Sequence, residues 1–76
     1  MTDDDITVEE FAAYDLPYKR KISLRTLDYQ NGLQMLRLVL REGTRITQVD
    51  IDTDMAATLA GEFQTWAEKH GHKPEN

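Results

Sequence analysis

The sequence predicts an α+β domain: three antiparallel strands in a β-meander packed against one C-terminal α-helix, with a short N-terminal segment ahead of them that forms a helix or an arm, and as an arm could extend the sheet. Three observations carry this. Between residues 19 and 51, β-branched, aromatic and apolar residues are interleaved with charges as in half-buried strands. Asn31-Gly32 and Glu42-Gly43 interrupt that stretch, and both pairs suit tight turns. Beyond Asp52 the apolar spacing becomes helical, through Met55, Leu59, Phe63 and Trp66.

The strands follow in order: "KRKISLRTLDY" over 19–29, "LQMLRLVLR" over 33–41 and "TRITQVDI" over 44–51. In the second, the period of two sets Leu36, Leu38 and Leu40 on one face, and Leu33, Met35, Arg37, Val39 and Arg41 on the other. The apolar phase slips in the first strand, from Ile22 and Leu24 to Leu27 and Tyr29, and in the third, from Ile46 to Val49 and Ile51. A one-residue bulge near Arg25-Thr26 and another near Thr47-Gln48 would gather all of them on the Leu36 face. The helix is expected over 53–70. Asp52 or Thr53 caps it, Asp54 suits its positive end, Lys69 and His70 suit its negative end, and Gly71 and Pro74 stop it. Gly61 inside it costs roughly 1 kcal/mol against alanine, which fits a place where Ala57 and Gly61 admit another backbone. Ahead of the sheet, Thr7 and Glu10 fit a capping box for a helix from Val8 to Tyr14, while Ile6, Val8, Phe11, Leu16 and Tyr18 fit an irregular arm equally well. The organisation expected is an acidic arm over 1–18, a β-β-β-α domain over 19–70 and a tail over 71–76.

A chain of 76 residues is at the size where one core barely offsets the entropy of folding. With no cysteine, disulfides and thiolate metal sites are excluded, and a reducing cytoplasm is the expected location. The acidic start and the lack of a long apolar run are read as no signal peptide and no membrane segment. The staple that remains is a partner, most simply a second copy, so a homodimer is expected. The net charge of −5 conceals three blocks: residues 1–18 carry six acids and no base, 19–45 carry seven bases and two acids, and 46–76 carry six acids and two lysines. The basic middle keeps an anionic partner in view.

Catalytic groupings are sparse. The only serine, Ser23, lies inside a strand with no histidine near it in sequence. Asp50 and Asp52 share one side of a strand end, where acids ordinarily cap the next helix. "HGHK" over 70–73 is the one metal-like cluster, and no further ligand is suitably spaced, so neither a metal nor a cofactor is expected and the chain is read as a non-enzyme. The candidate binding or interface face comprises Arg25, Leu33, Met35, Arg37, Val39 and Arg45. It serves a protein interface if Leu33, Met35 and Val39 bury against another subunit and the arginines pair with acids such as those of the N-terminal arm. It serves single-stranded nucleic acid, the alternative, if the arginines follow phosphates. A solvated sheet face on which arginine stems cover apolar neighbours is the plain reading of the same residues.

The sheet-then-helix order resembles the single-strand-binding domain of a transcriptional coactivator family, which implies dimerisation through the C-terminal helix. "LDYQNGLQMLRLVLREGTRITQVDID" followed by Trp66-Ala67 resembles an uncharacterised family of short bacterial proteins. The likeness runs through Tyr29 before the first turn, Leu36-Arg37, Arg41-Glu42-Gly43, Arg45-Ile46-Thr47 and Trp66, covers about residues 19–67, and implies a fold without an activity.

Overall fold

The computed structural model of the chain describes residues 6–71. It is α+β, with β1 (Ile6–Leu16), β2 (Arg20–Tyr29), β3 (Gln34–Glu42), β4 (Arg45–Ile51) and α1 (Thr53–His70). The strands form one antiparallel sheet in chain order, so each connection within it is a hairpin. There is one strand more than the three expected. The acidic segment read as an arm or helix is β1, which at eleven residues is a full edge of the sheet. Its register explains why: Ile6 stands opposite Tyr29 and Val8 opposite Leu27. Apolar cross-strand pairs and a ladder of backbone hydrogen bonds outweigh the local capping signal of Thr7 and Glu10.

The same register removes both expected bulges. β2 runs against β3, and β3 against β4, without a shift at Arg25-Thr26 or Thr47-Gln48. The irregularity falls in β1 between Glu10 and Ala12, where Phe11 is the extra residue. Apolar side chains are therefore divided between two faces. On the helix face, Tyr14–Ile22–Leu40–Thr47 and Ala12–Leu24–Leu38–Val49 form rows across all four strands. On the outer face the rows are Val8–Leu27–Met35 and Ala13–Ser23–Val39–Gln48.

Burial corrects the sequence reading at this point. Leu27 is fully buried, and Val39 and Ser23 are buried, yet all three lie on the outer face. Leu27 and Tyr29, expected under the helix, belong there too. Ile6 and Val8 of β1 stand opposite Tyr29 and Leu27, and Met35 of β3 stands opposite Leu27; Ile6, Val8, Leu27 and Arg37 border one depression on that face.

The turns set these registers. Asn31-Gly32 is a turn as expected, but a longer one: the Gly32 N–H donates to the Tyr29 carbonyl at 3.0 Å and the Tyr29 N–H to that of Leu33 at 2.9 Å. Only Gly32 of the pair has a positive φ, +90°. Between β3 and β4 the central residues are Gly43 and Thr44, and Gly43 at φ +62° takes the left-handed step that a tight hairpin requires.

The helix has the bounds expected of it. The Met55 N–H donates to Asp52 Oδ1 at 2.8 Å, which caps the first turn, and the Gly71 N–H donates to the Ala67 carbonyl at 2.8 Å. The helix face of the sheet receives only part of it. No residue of α1 is buried, and Ala56 and Leu59 are its half-buried positions. A Cβ built on Gly61 meets nothing within 4 Å, so the close approach expected at Ala57 and Gly61 does not occur among the described residues. Residues 1–5 and 72–76, including His72 and Pro74 of the C-terminal motif, lie outside the described residues.

Gly61→Ala therefore removes a helix-interior glycine without a clash. It should stabilise the fold by about 0.5–1 kcal/mol, read as a higher midpoint in thermal unfolding; a lower midpoint would mean that the Gly61 flank is packed in solution.

Candidate functional site

Four charged residues form one transverse row on the outer face. Glu10 of β1 stands opposite Arg25 of β2, Arg25 opposite Arg37 of β3, and Arg37 opposite Asp50 of β4. Two arginines facing each other in the central pair repel, and each is met by a carboxylate from the flanking strand. Arg37 donates from Nε to Asp50 Oδ1 at 2.8 Å and from Nη2 to Oδ2 at 3.1 Å, the two-pronged geometry that makes such pairs strong. Arg25 Nε donates to Glu10 Oε1 at 3.3 Å. The row reads acid, base, base, acid.

The Arg37 pair shifts both titrations. Its hydrogen bonds with Asp50 are the first cause raising the Arg37 pKa and lowering that of Asp50; desolvation opposes both shifts, and Coulomb attraction reinforces them. On the helix face a third ion pair joins Arg20 Nε to Glu42 Oε2 at 3.0 Å, with Arg45 opposite the same Glu42.

The expected face is thus only partly one surface. Arg25, Met35, Arg37 and Val39 share the outer face, with Val39 buried. Arg45 lies on the helix face, because an unbroken β4 register leaves the odd positions there. Leu33 lies in the loop before β3 and is exposed. Pairing of an arginine with an acid of the N-terminal segment was expected, and Glu10 is that acid; the carboxylate of Asp50 was missed, although one signal for it was present. Arg37 and Asp50 are equally distant from a two-residue turn at Gly43-Thr44, so an unbroken hairpin makes them partners. The bulge expected at Thr47-Gln48 hid that symmetry.

The second candidate surface is apolar. Between α1 and the sheet runs a groove of about 340 Å³ lined by Tyr14, Leu24, Leu36, Leu38, Leu59 and Phe63, among other apolar residues. Large side chains also stand open to solvent, Phe11 at 58%, Tyr14 at 62% and Phe63 at 66% exposure, with Leu40, Val49 and Met55 also exposed; Trp66, at 64%, borders a second depression formed by α1 alone, which Phe63 shares. Trp66 packs against His70 one turn on, their ring centroids 4.9 Å apart. Among the described residues no three His, Cys, Asp or Glu side chains are grouped to hold a metal ion. No helix there is long and apolar enough to cross a membrane.

Fold and register define a small α+β domain built from a four-stranded meander and one partly docked helix. The family model described as a family of unknown function (DUF6967) matches residues 5–69, and the chain belongs to that family. The match takes in β1, where the likeness read from the sequence began only at residue 19. No curated protein and no solved structure matches the chain.

Asp50→Asn tests the row. The Asp50 pKa is lower in the fold than in the unfolded chain, so its stabilising effect is complete above the ordinary carboxylate value near 3.9 and is lost as pH falls through the depressed folded value. The variant should be less stable at pH 7 by about 1 kcal/mol, as expected for a partly exposed two-pronged pair. In denaturant titrations the gap from the parent chain should close as pH drops below 3.9 toward that lower value.

Proposed function

We propose that the chain is a non-enzymatic, homodimeric binding protein of the bacterial cytoplasm, in which two copies associate through the helix face. The observation that carries this reading is the apolar surface that one helix leaves uncovered. Aromatic side chains bring about 150–250 Å² each. The exposed fractions of Phe11, Tyr14, Phe63 and Trp66 then leave on the order of 500 Å² of aromatic surface, before Leu40, Val49 and Met55 are counted. A monomer's largest apolar patch is ordinarily about 300–600 Å², and a stable interface takes about 800 Å² from each partner. The aromatic surface alone falls within the first range, and Leu40, Val49 and Met55 carry the total toward the second. A second copy is the occupant that supplies a matching face without another gene product, and two-fold pairing of like patches is the commonest solution.

Composition supports the rest of the reading. A chain without cysteine gives up nothing in a reducing compartment. Its one serine is buried in mid-sheet beside Val39, an unsuitable place for a nucleophile. The outer-face arginines support a structural role over a phosphate-binding one. Arg25 and Arg37 each hold a carboxylate, and a phosphate would have to displace it.

The test is the mass in solution. Sedimentation equilibrium at roughly 100 μM, well above a micromolar Kd, should give twice the 8.8 kDa chain mass. Phe63→Glu and Val49→Lys alter side chains already exposed in the single chain, and each should shift the protein toward monomer with its far-ultraviolet circular dichroism retained. A parent chain that sediments as a monomer at that concentration overturns the reading.

A further inference from the structure

The β1–β2 hairpin turns through Tyr18 and Lys19, at φ 66° and 61°. Among the described residues they are the only ones other than glycine with positive φ. Two successive left-handed residues match the twist of a tight hairpin, and Asn and Gly are what such turns ordinarily use. A tyrosine and a lysine there carry backbone strain. Neither side chain recovers that cost through burial. Tyr18 is 86% exposed, and its contact of note is the Arg20 guanidinium, 5.8 Å from the ring centroid. Strain kept for a ring whose contact in the fold is one exposed cation points to a use outside it.

The surroundings give that use a chemistry. The same end of the sheet gathers Lys19, Arg20, Lys21, Arg41 and Arg45, against Asp15 and Glu42. Lys21 stands directly opposite Arg41 on the outer face; Asp15 flanks Lys21 in that row, whereas Arg41 faces Ile46 on its other side, so an anion beside Arg41 would relieve the like-charge pair. Glu42 already takes Arg20.

The geometry points to this hairpin end as a binding site for single-stranded nucleic acid, with the Tyr18 ring as a stacking platform for a base and Lys19, Lys21 and Arg41 on the flanking phosphates. An exposed ring between cations is the arrangement by which single strands are held without sequence preference. An acidic peptide would use the cations but not the ring. The acidic remainder of a chain with net charge −5 repels a polyanion and confines it to this end. The inference names a ligand class for the binding role proposed above and needs no association of copies, so it can fail while the dimer stands, or stand while the dimer fails.

The experiment is fluorescence anisotropy of the full chain with a labelled oligothymidylate at low salt. Binding should weaken with salt at a log–log slope near −2, about three phosphates at roughly 0.7 each. Tyr18→Gly should raise the thermal midpoint, because glycine accepts positive φ, and should lower affinity at least about fivefold through loss of the stack; Tyr18→Phe should restore it. Lys21→Gln with Arg41→Gln should reduce the slope by about 1.4. No binding at low salt, affinity unchanged in Tyr18→Gly, or equal competition by polyglutamate of matched charge would each overturn the assignment.

Discussion

The arrangement of this sheet depends on one electrostatic constraint. The central hairpin sets Arg25 against Arg37, and two guanidinium groups at cross-strand distance repel. A carboxylate on each flank resolves the conflict, which requires strands on both sides of the pair and a register that brings Glu10 and Asp50 into the same row. A slip of one residue in β1 or β4 would carry its acid to the other face and leave an arginine unmatched. The row therefore disfavours wrong registers while adding modestly to stability, as partly exposed ion pairs generally do.

That width has a consequence for the other face. Four strands present broad apolar rows, whereas α1 is a single helix entering from the end of β4 and half-burying only Ala56 and Leu59. The domain solves its charge problem internally on one side and leaves a hydrophobic one open on the other. The open apolar face and the engaged state of the outer arginines thus have a common origin in the number of strands.

How much of this the sequence disclosed follows from the range of each signal. The helix was legible to its ends, because each of its signals is local: Asp52 and Gly71 act within one turn of their own ends, and the 3.6-residue period links neighbouring turns. The turns at Asn31-Gly32 and near Gly43 were legible for the same reason. β1 was legible only as an arm that could extend the sheet: Thr7 and Glu10 mimic a helix cap locally, and only their distant partners Asp28 and Arg25 make a strand of them. The assumption that one domain has one apolar face then forced two bulges onto β2 and β4, moved Leu27 and Tyr29 to the wrong side, and obscured the match of Arg37 with Asp50. Of the candidate face, Arg25, Met35, Arg37 and Val39 were grouped correctly because they depend on parity within the β2–β3 hairpin alone. Arg45 was misplaced because its side depends on the next turn.

The join between sheet and helix has a mechanical meaning. A single residue, Asp52, separates Ile51 of β4 from Thr53 of α1, and its φ of −86° and ψ of 177° set the direction of the whole helix. Trp66 stands thirteen residues beyond Thr53, roughly 20 Å along the axis at 1.5 Å per residue. A swing of about 10° at that one joint would carry Trp66 through roughly 3 Å at that radius. The helix is a lever with its fulcrum at its own capping residue, so a small change in how Asp52 holds the Met55 amide is magnified at the aromatic tip.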